Sequence, residues 1–134
     1  MIRLSDIGED ALIHRLLKKI SIQGKQADDL VVGPGDDCAV INVGDKDRYQ
    51  LLKTDSLIEG VHYLPDAAAP EVGWKAIARV VSDFAAMGGW PSHLLITVAM
   101  PPDQKISYME ELYQGMQNCA CEFGAAISGG ETTS

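Results

Sequence analysis

Leu12, Ile13, Leu16, Leu17 and Ile20 recur at the spacing of one helix face. Asp6, with Glu9 three positions later, resembles a capping box, so a first amphipathic helix is predicted to end near Ile20. The polar stretch 23–29 is expected to be a connector. Val31-Val32 then runs into Gly33-Pro34-Gly35-Asp36-Asp37, a turn composition that interrupts regular structure. Residues 38–41 and 49–54 read as two strands of a hairpin, and 57–63 as an extended segment. Pro65 to Pro70 is a loop that leads into a long helical pattern over 71–87, ended by Gly88-Gly89. Residues 93–100, with Ile96, Thr97 and Val98, form the most apolar segment and read as a central strand, closed by Pro101-Pro102. Ser107 and Glu110 suggest a capping box opening a helix that runs to about Phe123. A short strand at 125–128 precedes a polar Gly129-Gly130-Glu131-Thr132-Thr133 turn.

This order of elements implies an α/β or α+β sandwich, with helices covering a mixed β-sheet. The 134 residues are expected to form one domain. The chain stops directly after a glycine turn rich in polar groups, which suggests a cut from something longer.

Charge narrows the function. Eleven Lys and Arg stand against nineteen Asp and Glu, and the net −8 repels nucleic acid and anionic lipid because the basic residues do not cluster. Neither is expected as a partner. An acidic protein that handles phosphates needs metal cations between the two sets of negative charge. No apolar run approaches the roughly 20 residues that cross a bilayer, and Cys38, Cys119 and Cys121 follow no signal peptide, so a reducing cytoplasm is expected. Cys119 and Cys121 lack zinc-knuckle spacing and read as buried helix cysteines.

Four clusters carry candidate chemistry. Asp36-Asp37 suits either local turn hydrogen bonds or a hard cation that relieves two adjacent like charges. Thr54-Asp55 closes a strand, where it serves as a cap or stands at the carboxyl edge at which ligands of open α/β sheets bind. Asp83 lies among Val80, Val81, Phe84, Ala85 and Ala86, so a carboxylate there needs a cation or donors. Arg79, four residues earlier, is one partner on the same helix face, and a metal ion is the other. The 129–133 glycine turn either only turns or offers amides to phosphate oxygens. A P-loop, a G-x-G-x-x-G turn after a strand and a G-x-S-x-G elbow are all missing, which disfavours the commonest nucleotide folds and serine hydrolases.

Together, Gly35-Asp36-Asp37-Cys38-Ala39-Val40, the run Thr54-Asp55-Ser56-Leu57-Ile58-Glu59-Gly60-Val61-His62-Tyr63, Ser82-Asp83-Phe84-Ala85-Ala86-Met87-Gly88 and Gly129-Gly130-Glu131-Thr132-Thr133 closely resemble the bacterial thiamine-monophosphate kinases. These share a superfamily with aminoimidazole ribonucleotide synthetase, selenophosphate synthetase and a hydrogenase-maturation protein. The match runs along essentially the whole chain, which looks like the family's N-terminal ATP- and magnesium-binding domain without its C-terminal domain. The resemblance implies that two such domains pair into a β-barrel across a homodimer, with ATP and Mg²⁺ at the clefts. It makes Asp36, Thr54, Asp55, Asp83 and Glu131 magnesium ligands. Gly130 and Glu131 contact ATP, and His62 contacts thiamine monophosphate. Alone, His62 reads as an ordinary strand histidine; Trp74 and Lys75 read as structural. Three residues depart from the family pattern. Lys53 stands where Ser or Thr is usual and, unable to ligate metal, could replace a cation by facing phosphate. Val80 replaces a frequent Asn, and Glu131 the usual Asp.

The implied reaction moves the γ-phosphoryl group of ATP onto the phosphate of thiamine monophosphate. Other readings are another ATP-using member of the superfamily, a non-catalytic dimeric nucleotide-binding module, and a purely structural dimerisation domain.

Overall fold

The computed structural model describes residues 3–133. The chain is organised as two compact units, Met1–Leu52 and Lys53–Ser134. The fold class is a mixture of helices and strands as expected, but among the described residues the strands form two sheets rather than one mixed sheet. Three form an antiparallel sheet in the first unit, and two form a parallel pair in the second.

The first unit opens with a 3-10 turn, Leu4–Asp6, followed by α1 (Glu9–Leu17). Gly8, in extended conformation, precedes the helix. Asp6 therefore does not cap α1; its carboxylate accepts from the Arg3 amide at 2.9 Å. Glu9 and Asp10 occupy the first turn of α1, where carboxylates oppose the helix dipole favourably. The apolar stripe expected to face a core is only half-buried at Leu12 and Leu17 and exposed at Ile13 and Leu16. A unit this short has little interior to offer. The expected polar connector contains a one-turn helix, α2 (Lys25–Asp29). It leads into β1 (Leu30–Val32), β2 (Ala39–Ile41) and β3 (Gln50–Leu52), in the order β1-β2-β3. The β2–β3 hairpin is the one read from sequence, and Cys38 and Val40 are the buried residues among those described in this unit.

In the second unit, residues 57–63 fold as turns around a single Glu59–Tyr63 bridge rather than as an extended strand. Amides of Val61 and His62 both return to the Ile58 carbonyl, which curls the segment. Then come α3 (Ala69–Ala86), β4 (His93–Ala99), α4 (Ile106–Glu122) and β5 (Ala126–Thr133). Pro70 sits in the first turn of α3, where its missing amide costs nothing. Gly88, at φ 70°, ends that helix, and the Gly89 amide reaches back to the Phe84 carbonyl. Lys105 rather than Ser107 precedes α4, and no side chain caps it.

Strand β4 alternates strictly. Leu94, Ile96 and Val98 point inward, whereas His93, Leu95, Thr97 and Ala99 face outward. The inward residues pack with Val72, Ile77 and Val81 of α3 and with Leu112, Met116, Cys119 and Ala120 of α4. Cys119 is fully buried as expected, but Cys121 is exposed. Two buried glycines, Gly73 and Gly115, let α3 and α4 approach closely. A Cβ on Gly73 would overlap the Leu112 carbonyl, and one on Gly115 the Pro70 carbonyl.

Strand β5 pairs parallel with β4, and a bulge at Ser128 places Gly129 opposite Leu95 and Gly130 opposite Ile96. The 129–133 segment is thus strand, not turn. Extended pairing wins because the backbone groups that face β4 gain ladder partners.

Candidate functional site

Asp55 and Asp83 are brought together through an ionic group. Asp83 and Arg79 share a face of α3, four residues apart, yet they do not pair with each other. Arg79 reaches across to Asp55, with Nε–Oδ2 at 2.8 Å and a second bond from its terminal nitrogen to Oδ1 at 3.1 Å. The Ser56 amide also donates to Asp55 Oδ1, at 2.7 Å. Asp83 is held instead by Lys53, Nζ–Oδ2 at 2.8 Å. Both carboxylate side chains are 21% exposed, so they are only partly screened by water. The group holds two anions and two cations. Asp83 thus has the cationic partner its apolar neighbourhood demands, but that partner is Lys53, not Arg79.

The two-pronged hydrogen bond from Arg79 holds the Asp55 carboxyl below its ordinary range, against an opposing effect of partial burial. The Ser56 amide and the charges of Arg79 and Lys53 act in the same direction as the Arg79 bond. Arg79 in turn is pushed further towards its charged form, chiefly by that bond.

A second feature is an open cleft of 670 Å³ lined by His62, Tyr63, Asp66, Glu71 and Lys75, among others. His62 Nδ1 accepts the Ile58 amide at 3.0 Å, which leaves the ring proton of the neutral form on Nε2. The Lys75 ammonium donates to the His62 carbonyl and so ties α3 to the turn that carries the histidine. Burial, and then the neighbouring Tyr108 and Glu59, push the Tyr63 hydroxyl to a higher pKa.

The remaining residues singled out from sequence are Asp36, Thr54, Gly130 and Glu131. Asp36 belongs to the first unit, is exposed, and accepts the Asp37 amide at 2.8 Å, the local bond expected of a turn aspartate. Thr54 is exposed between Lys53 and Asp55. Gly130 and Glu131 lie on β5, with Glu131 opposite Thr97. A Cβ on Gly130 would overlap the Ile96 carbonyl, so strand pairing alone already demands glycine there. Among the described residues, no three His, Cys, Asp or Glu side chains converge as a metal site in this conformation.

Three basic residues gained roles that sequence reasoning did not give them. From sequence Arg79 pairs with Asp83, Lys53 faces phosphate and Lys75 is a surface cation; in the structure Arg79 holds Asp55, Lys53 holds Asp83 and Lys75 holds the His62 carbonyl. The available signal was charge balance, since partly buried carboxylates near few cations must share them.

Residues 35–134 match the family model described as AIR synthase related protein, N-terminal domain. The chain is 42% identical over 121 residues to the thiamine-monophosphate kinase of Aquifex aeolicus strain VF5, covering 90% of this chain and 36% of that one. It is 32% identical over 126 residues to the Escherichia coli K12 enzyme of the same name, covering 94% and 37%. Among solved structures, AaThiL complexed with AMPPCP and TMP superposes with a TM-score of 0.85 at 35% identity, over 100% of this chain and 40% of that one. The chain therefore spans well under half the length of these relatives. It belongs to the AIR synthase related proteins, and residues 35–134 are of their N-terminal domain type.

Proposed function

We propose that the protein carrying this chain transfers the γ-phosphoryl group of ATP directly to the phosphate of thiamine monophosphate, and that the chain is its N-terminal ATP- and magnesium-binding domain. The observation that carries this reading is the likeness, over the whole chain, to AaThiL complexed with AMPPCP and TMP. An oxygen of the thiamine phosphate attacks the γ-phosphorus, the bond to the β-phosphate oxygen breaks, and ADP leaves with the electron pair. A phosphate monoester has its second pKa at about 6, so the attacking oxygen is already largely deprotonated at neutral pH. No general base is required, and the barrier is the approach of two polyanions.

In this reading Asp36, Thr54, Asp55, Asp83 and Glu131 hold magnesium. Their donor chemistry fits, because carboxylate and hydroxyl oxygens suit a hard divalent ion, and Asp55 and Asp83 already draw two cationic side chains to themselves. Magnesium, when bound, supplies positive charge to phosphate oxygens. Gly130 and Glu131 contact ATP. His62 contacts the thiamine phosphate, and its Nε2 proton and the nearby Lys75 ammonium suit a phosphate oxygen.

The outward face of β4, with Leu95 79% exposed, supports the pairing of two copies into a homodimer with a shared barrel. Cytoplasmic location is part of the same proposal, supported by Cys38, Cys119 and Cys121, which form no disulfide among the described residues. Among the described residues no helix is long and apolar enough to cross a membrane. The 134 residues by themselves are expected to lack turnover, since they match little more than a third of the kinases' length.

Site-directed variants test the assignment. Asp55→Asn and Asp83→Asn, in the protein that carries this chain, should each lose about a hundredfold or more in thiamine diphosphate formation. Their circular dichroism should stay near wild type, with Asp55→Asn melting somewhat lower because its pairing with Arg79 is weakened. Near-wild-type turnover in both variants would refute the roles given to these carboxylates.

A further inference from the structure

The two ion pairs are not equivalent. Asp55 is gripped at both oxygens, by the planar fork of Arg79 and by the Ser56 amide. Asp83 is held by the ammonium of Lys53 at Oδ2, on a flexible four-carbon stem. Taking Asp55 for another cation means breaking a bidentate contact, whereas taking Asp83 means swinging one ammonium aside. With Lys53 and Asp83 only 24% and 21% exposed, the repulsion between the ammonium and an incoming ion is weakly screened.

We propose that Lys53 is a resident monovalent cation of this carboxylate pair, and that it sets how strongly Asp83 takes a divalent ion. The ammonium fills the place at Asp83 Oδ2 and adds one positive charge, so a divalent ion must both displace it and bear its repulsion. Lys53 is thus a positioning residue: it fixes the Asp83 carboxylate in the empty state and lowers the divalent affinity of the site. This role rests on the reading that the carboxylates serve a divalent ion, but not on the identity of the phosphoryl acceptor.

The test is a Mn²⁺ titration, followed by electron paramagnetic resonance without nucleotide, on the protein that carries this chain. Lys53→Thr and Lys53→Gln should bind Mn²⁺ about tenfold tighter than wild type, as loss of a unit charge at close range implies. Lys53→Arg, which keeps the charge, should titrate like wild type. Adding Asp83→Asn to Lys53→Thr should abolish the gain. Equal affinities in wild type and in folded Lys53→Thr and Lys53→Gln overturn the role of Lys53, as does a lack of Mn²⁺ binding by every form. Equal affinities with thiamine diphosphate formation intact overturn it while leaving the kinase reading in place.

Discussion

Asp55 ties local chemistry to stability through the proton. Its carboxyl lies below the ordinary value of 3.8 in the folded chain, so folding favours the ionised form. The stabilisation is complete above 3.8 and is lost as pH falls through the lower folded value. The difference in urea midpoint between wild type and Asp55→Asn should accordingly stay constant from about pH 8 to pH 5 and shrink below about pH 4. A difference that grows on acidification would contradict the Arg79 pairing. The sequence makes the need of Asp83 for a partner legible, since its neighbours Val80, Val81 and Phe84 are apolar. It does not make the partner legible: Lys53 arrives from a distant stretch of chain, and helical spacing points to Arg79 instead. Periodicity reports neighbours along one element and says nothing about side chains that cross between elements.

At the scale of elements, α3, β4 and α4 were readable because their apolar periodicity is strong and glycine or proline marks their ends. Strand β5 was readable only at its start. Gly129-Gly130 looks like a turn in isolation, but the segment pairs with β4, and that pairing brings Gly130 so close to the Ile96 carbonyl that only glycine fits. Residues 57–63 have strand-like composition, but backbone bonds back to Ile58 hold them in turns. The same close-approach logic governs the α3–α4 crossing. Gly73→Ala gains helix propensity but drives a methyl into the Leu112 carbonyl, so it should destabilise the protein by about 2–3 kcal/mol in urea unfolding. An unchanged midpoint would mean that the two helices are not packed this tightly.

For the whole molecule, the uneven burial of the two units is the main fact. The second unit has a continuous core of α3, α4 and β4, whereas among the described residues the first buries only Cys38 and Val40. In the sequence the dispersed carboxylates read as candidate cation ligands and the missing P-loop disfavours the commonest nucleotide folds, while the family resemblance carried by the four motifs agrees with the family model matched over residues 35–134. The cation partners of Asp55 and Asp83 needed coordinates. The central claim is direct phosphoryl transfer between two phosphates, and the most direct measurement is ³¹P NMR of ATP, thiamine monophosphate and Mg²⁺ incubated with the protein that carries this chain. The account predicts loss of the ATP γ-signal with matching growth of thiamine diphosphate and ADP signals and no inorganic phosphate; release of inorganic phosphate without thiamine diphosphate, or no change in any signal, would contradict it.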